Sequence, residues 1–358
     1  MEMHQELKER FRRQASPLEC IPTGESPVLK RLSGIRAVVF DVYGTLIISG
    51  VGDIGVDDGV IAPERILDAL EQSGVQWMAE GAGEAGEGVE AGEALDVNEA
   101  GQALDVNEAG EAGTINSGGT GDSGSTGGTS TNFIHAQKVL DLYNETVNEL
   151  RREAIAKGIH TPEPDIRNVW SRVLESLKDQ KLIQFDSRFD GLLRTAETLS
   201  LEFEIRMNPT WPMPNMTHVL DRLHAKSYDL GIISNSQFYT PIMIEAYADR
   251  TLRDLGFSSG LLHWSYEVGL KKPSITFYRR FLEKMVRHHP TLQPEEILYV
   301  GNDMRKDILP AQTLGFKTAL FAGDQRSLRW RRDDPTCKTL EPDLVVTDLM
   351  QIAECLSA

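Results

Sequence analysis

The side chains best suited to chemistry fall in four short segments. The first is FDVYGTL at 40–46, where Asp41 ends an apolar run and a glycine turn and Thr45 follow. A carboxylate at the end of a buried strand is costly unless it is paired or used. The plainer alternative is an Asp that caps the next turn. The second is IISNS at 232–236, where Ser234 and Asn235 leave another apolar run. Taken alone, Ser–Asn after a strand is turn chemistry. The third is EVGLKKPSITFY at 267–278. Pro273 suits the first turn of a helix, which would hold Lys272 at the mouth of a sheet. An isolated KKP is equally a surface helix start, but a lysine there opposes the helix dipole and calls for a compensating anion. The fourth is ILYVGNDMRKDILPAQTLG at 297–315, with Asp303 in a loop and Asp307 near the opening of a helix. Two acids so spaced fit a site for a hard divalent cation. Asp307 by itself is equally well explained as a helix N-cap.

Each segment follows an apolar run of strand length. The runs are IRAVVF (35–40), YDLGIIS (228–234) and EILYV (296–300), with KTALF (317–321) and DLVVT (343–347) further on. Short runs of this kind suggest strands buried on both faces of a parallel sheet. Helical patterns at 215–226, 274–287 and 307–314 separate them. The alternation predicts an α/β fold, a doubly wound Rossmann-like parallel sheet. In such sheets ligands bind beyond the carboxyl ends of the strands, where all four segments lie.

Almost 190 residues separate the first strand from the one at 228, too many for one crossover. Helical patterns at 63–78, 133–157, 164–180 and 190–206 fill much of that span. The expected organisation is an N-terminal extension at 1–33, a sheet domain at 34–60 and 208–358, and an inserted helical domain at 61–207. The extension reads as a short amphipathic helix and a Pro-containing connector. Within the insert, residues 79–131 hold 14 of the chain's 31 glycines and eleven acids, with no Lys or Arg. ALDVNEAG occurs there twice, at 94–101 and 103–110. Two polar copies cannot stack into a solenoid, and this composition predicts a disordered acidic loop. A surface loop can carry such a stretch because closure entropy grows only logarithmically with length.

The formal charge is −17, of which that stretch alone contributes −11. The balance argues against nucleic-acid or anionic-membrane partners. Cys20, Cys337 and Cys355 are too few and too scattered for a disulfide framework or a cysteine-based zinc site. The charged N-terminus has no apolar segment resembling a signal peptide, and no run reaches the length of a membrane span. A cytoplasmic protein is expected.

In order, the four segments are strand–DxxGT, strand–Ser, Lys-Pro and strand–GNDxxxD–helix. That set resembles the four motifs of the haloacid dehalogenase superfamily, over about residues 35–355, and the insert resembles that family's helical cap. The resemblance implies that Asp41 attacks the substrate covalently and that Ser234 hydrogen-bonds the bound anion. Lys272 would neutralise charge between Asp41 and the substrate, with Thr45 and Asn235 completing the site. It also implies Mg²⁺ held by Asp41, Asp303 and the main-chain carbonyl of Tyr43, with Asp307 a ligand directly or through water.

One position departs from the pattern. Phosphatases of the family carry a second Asp where this chain has Tyr43. An unperturbed tyrosine is ionised in only about one molecule per thousand at neutral pH. Losing a positioned acid–base typically lowers rates by roughly 10²–10⁴. DxYGT is instead similar to the family's 2-haloacid dehalogenases, whose halide leaves without a proton, and Tyr278 matches their tyrosine six residues after the lysine. The two acids of the fourth motif point the other way, and Arg65 is a weak candidate for the cap arginine of a dehalogenase. Tyr143, Trp170 and Arg172 read as core or surface. The leading expectation is a Mg²⁺-dependent phosphoryl hydrolase or transferase acting on a small phosphorylated, hence anionic, metabolite. A dehalogenase-like hydrolase and a weakly catalytic binding protein on the same fold are the alternatives.

Overall fold

The computed structural model describes residues 2–51, 63–78, 126–186 and 191–356. Most of the acidic loop expected at 79–131, including both repeats, lies outside them. Its last residues, 126–131, are helical and open α3 (Thr126–Ala156).

Six parallel strands form the main sheet. They are β1 (Ala37–Phe40), β6 (Asp229–Ser234), β7 (Phe257–Trp264), β8 (Ile297–Gly301), β9 (Lys317–Phe321) and β10 (Leu344–Val346), in the spatial order β10-β9-β8-β1-β6-β7. Every residue of β1 is fully buried, as a run apolar at each position requires of a central strand. Its alternate side chains serve two cores. Val38 and Phe40 pack with Leu220, Leu223 and Ile242 on one face. Ala37 and Val39 pack with Phe277, Phe281 and Met285 on the other. These partners belong to α6 (Met216–Ala225), α7 (Tyr239–Ala248) and α9 (Ile275–His288). The short α8 (Ser265–Val268), α10 (Leu309–Thr313) and α11 (Met350–Cys355) complete the layers. The fold is the α/β doubly wound sheet that the sequence pattern predicts.

The chain leaves this sheet through β2 (Ile47–Ser49) and returns through β5 (Thr210–Pro212), which pair antiparallel as a ribbon. Between them lie α2 (Pro63–Gln72), α3, α4 (Ile166–Asp179) and α5 (Leu192–Met207), with β3 (Val75–Trp77) and β4 (Ile183–Phe185) as a second small antiparallel pair. The helices close around Trp170, Val173, Leu174 and Leu199, a core separate from those of the sheet.

Three local expectations change. The helix expected over 63–78 stops at Gln72, because Gly74 adopts φ +76° and VQW then pairs as β3. The helix expected at 307–314 begins earlier as a π turn, Met304–Ile308, capped by Asp303. β7 was not expected, since SSG interrupts its apolar pattern. The N-terminal extension is also more than an appendage. α1 (Glu2–Gln14) buries Leu7 and Phe11 in the sheet's core. Its connector exchanges backbone hydrogen bonds between Val28 and Val345, covering the β10 edge.

Candidate active site

The parallel ladder sets the positions of the site. Phe40 is level with Ile232 on β6 and with Val300 on β8. The residues just beyond, Asp41, Ser234, Asn302 and Asp303, therefore emerge side by side at the carboxyl edge. Lys272 reaches the same place from the segment before α9. Its backbone N–H donates to Asn235 Oδ1 at 2.7 Å, so the second and third segments are tied together.

At the centre, Lys272 Nζ lies 2.8 Å from Asp41 Oδ1 and 2.6 Å from Asp307 Oδ1. All three side chains are buried. Asp307 Oδ1 also lies 3.1 Å from the Tyr299 hydroxyl, and Oδ2 accepts from the N–H groups of Asn302 and Asp303, both at 3.0 Å. Gly301 makes this possible, because a Cβ there would sit 2.4 Å from Asp307 Cγ. Gly44 is required for a related reason. Its φ is +78°, and a Cβ would lie 2.5 Å from Ser327 Cβ and 2.8 Å from Asn302 Nδ2.

The charges reinforce the geometry. Burial alone would lower the Lys272 pKa, but Asp307 and Asp41 outweigh it and hold the ammonium above its ordinary value. Burial pushes the Asp307 carboxyl up to about 6, with Asp41 and Asp303 adding to the effect and Lys272 opposing it. Burial raises the Tyr43 phenol well above its usual range, and Glu204 adds to this. The Tyr43 hydroxyl pairs with Thr240 Oγ1 at 2.9 Å.

These side chains line a cavity of about 50 Å³ with Asn302, Ser327 and Arg329. A larger cavity of about 240 Å³ adjoins it beneath the inserted helices and shares Tyr43, Asn235, Lys272 and Lys306 with it. Tyr143, Arg151, Glu163 and Glu204 line the insert's side.

The donor set of carboxylates and a main-chain carbonyl is of the kind a hard divalent cation takes. Protein donors already engage both Asp307 oxygens, Lys272 at Oδ1 and the N–H groups of Asn302 and Asp303 at Oδ2. Asp303 Oδ1 accepts from the N–H groups of Arg305 and Lys306, at 2.8 and 3.0 Å. Its Oδ2 accepts from Arg331 Nη2 at 2.9 Å and from Arg331 Nε at 3.3 Å, so a cation here would share Asp303 with that guanidinium. Asp41 Oδ2 has no protein partner among the described residues. Ser327 Oγ is buried there without a hydrogen bond among the described residues. A polar occupant of the cavity would satisfy it.

Of the expected site residues, Asp41, Tyr43, Asn235, Lys272, Asp303 and Asp307 all line the small cavity. Ser234 is buried at the end of β6, its Oγ directed to the Asn235 carbonyl at 3.3 Å. Thr45 is buried and donates to Asn302 Oδ1 at 3.2 Å. Tyr278 is a core residue whose hydroxyl donates to the Lys306 carbonyl at 2.9 Å. Arg65 bonds the Arg206 carbonyl away from both cavities, and Arg151 is the arginine of the insert that lines one. Trp170 is core and Arg172 pairs with Glu149 on the surface, whereas Tyr143 faces the larger cavity. Sequence reading missed Asn302, Ser327, Arg329 and Glu204. Asn302 adjoined a motif and could have been named; the others carry no local signal.

The molecule is a parallel α/β sheet protein with acids and a buried lysine gathered at the sheet's carboxyl edge. The chain matches the haloacid dehalogenase-like hydrolase family over residues 35–315 and belongs to it. It is 30% identical over 222 residues to a glyceraldehyde 3-phosphate phosphatase of Methanothermobacter thermautotrophicus, covering 58% of this chain and 90% of that protein. A protein of the same name from Methanocaldococcus jannaschii is 26% identical over 193 residues, covering 49% and 78%. Among solved structures, a 2-haloacid dehalogenase from Pseudomonas syringae pv. tomato DC3000 aligns with a TM-score of 0.46 and 16% identity, over 90% of this chain and 97% of that one.

Proposed function

We propose that this hydrolase cleaves a small phosphate monoester through an aspartyl-phosphate on Asp41. The observation that carries the reading is the Lys272 ammonium fixed between Asp41 and Asp307 in a buried cavity. The ammonium holds the Asp41 carboxylate in place as a nucleophile. The unpartnered Asp41 Oδ2 attacks phosphorus, and the bond from phosphorus to the leaving oxygen breaks. Water then attacks phosphorus, the anhydride opens, and Asp41 is restored with release of inorganic phosphate. Lys272 offsets charge gathering on the transferring group. Asp307 positions Lys272 and would ligate a metal directly or through water.

Asp41, Asp303 Oδ2 and the Tyr43 carbonyl would hold Mg²⁺, which would supply Lewis-acid stabilisation of the phosphoryl oxygens. Tyr43 is kept neutral and bonded to Thr240, so water in the cavity carries the protons that a second Asp would otherwise handle. Turnover slower than that of relatives with two motif aspartates follows. Residues 61–207 act as the cap. A cavity of about 240 Å³ beneath it admits a metabolite of a few carbons, in keeping with the triose phosphate in the name of the matched relatives.

The test is phosphate release across a panel of short-chain sugar and acid phosphates, with Mg²⁺ or with chelator. Mg²⁺-dependent release by the native chain, reduced at least about 10³-fold in Asp41→Asn, is expected. Silence across the panel would overturn the phosphatase reading. Tyr43 favours a second one, metal-free dehalogenation. Halide release from 2-chloropropionate that persists in chelator would establish it.

A further inference from the structure

At the opposite edge of the sheet from Asp41 lies a cluster that the hydrolytic site does not use. Asp229 is the first residue of β6, and His288 and His289 end α9. On a continuous helix, consecutive side chains diverge by about 100°. Here the helix stops at His288, and His289 turns to φ −132° and ψ 90°. The two rings therefore face one carboxylate, with centroids 5.0 Å apart and planes at 90°. His288 Nε2 is 3.7 Å from Asp229 Oδ1, and His289 Nε2 contacts Asp229 Oδ2 directly. One ligand atom from each residue lies within 4.8 Å of the other two.

We propose that Asp229, His288 and His289 form a second metal site, for a borderline divalent ion of the zinc type. Two imidazole nitrogens and one carboxylate oxygen suit such an ion, whereas Mg²⁺ and Ca²⁺ take oxygen ligands. Tetrahedral bonds of ~2.0–2.1 Å place neighbouring ligand atoms roughly 3.3 Å apart. Rotation of two imidazoles that are 38% and 36% exposed closes the present spread without moving the backbone. Water would fill the fourth position. The site stands roughly 17 Å along β6 from Ser234, so its occupant takes no part in hydrolysis. It pins the end of α9 to the start of β6, the two elements whose other ends present Lys272 and Ser234.

The experiment is calorimetric titration of the full chain, stripped of metal and kept in saturating Mg²⁺, with zinc chloride. One tight binding event in the native protein is expected, together with a rise in Tm. His288→Ala and His289→Ala should each weaken binding by roughly 100-fold, a quarter-share of what four ligands give structural zinc. Both should remove the rise in Tm and leave activity in Mg²⁺ unchanged. Should either fail to fold, the corresponding Gln variants carry the same comparison. Zinc binding that is unchanged in the variants, or no tighter than Mg²⁺ binding in the native chain, would overturn the assignment.

Discussion

Lys272 shows how much of a site four scattered residues can encode. Its partners Asp41 and Asp307 are 231 and 35 positions away along the chain, yet each was visible as a polar residue following a buried run. Their distances to it follow from the ladder that aligns β1, β6 and β8. What spacing could not show is how each oxygen is engaged. Asp307 reads as a metal ligand in sequence, and its pairing with Lys272 and with two backbone N–H groups had no sign there. Ser327 stayed hidden because it enters from a loop, and Glu204 because nothing in its helical pattern says that this one acid on α5 is buried against the cavity. At Tyr43 the expected behaviour is definite. Tyr43→Phe loses the bond to Thr240 and should lower stability by about 1 kcal/mol, read by urea denaturation. Its turnover should stay within about threefold of native, against the ~10²–10⁴ loss that removing a true acid–base brings. A loss of that larger size would make the phenol the proton donor after all.

Among the elements, α1 does the least expected thing. It is charged on one side and carries Leu7 and Phe11 on the other, which was legible as amphipathic. That it touches both halves of the molecule was not legible. Lys8 pairs with Glu245 and Arg12 bonds the Ala246 carbonyl, both on α7 of the sheet domain. Arg10 meanwhile reaches Glu202 Oε1 on α5 at 2.6 Å and the Gln72 carbonyl at the end of α2 at 3.2 Å. Glu202 is fully buried and is shared with Arg206 and Gln14. Removing one charged donor from a buried carboxylate that keeps another should cost about 2 kcal/mol. Arg10→Leu is accordingly expected to lower the urea midpoint. An unchanged midpoint would mean that Arg206 alone suffices. The three-residue strands β3 and β4 escaped sequence reading for a different reason, since VQW and IQF are too short to display a period.

At the scale of the whole molecule, one buried ring adds a sensitivity to acid. His263 on β7 is 1% exposed, its Nε2 bonded to the Phe277 carbonyl at 2.9 Å while its Nδ1 has no partner among the described residues. Burial lowers its pKa to about 3, with Lys284 contributing. The folded value is thus depressed below the unfolded one. Stability from the neutral ring is complete above about pH 6.5 and falls by up to roughly 1.4 kcal/mol per pH unit toward pH 3. The neutral ring's contribution should therefore shrink between pH 7 and pH 4.5, while the raised Asp307 carboxyl acts in the opposite sense, so His263→Gln should show a less acid-sensitive stability than native protein over the same interval. Parallel slopes in urea titrations of the two proteins would assign the acid sensitivity elsewhere.

The level alignment of three strand tips has a consequence for how chemistry can change on this scaffold. Backbone hydrogen bonding spaces adjacent tips at about 4.8 Å whatever residues they carry. A substitution at a tip therefore alters which atom is offered, not where it is offered. Reactivity can drift by single replacements while the framework that aims it stays untouched.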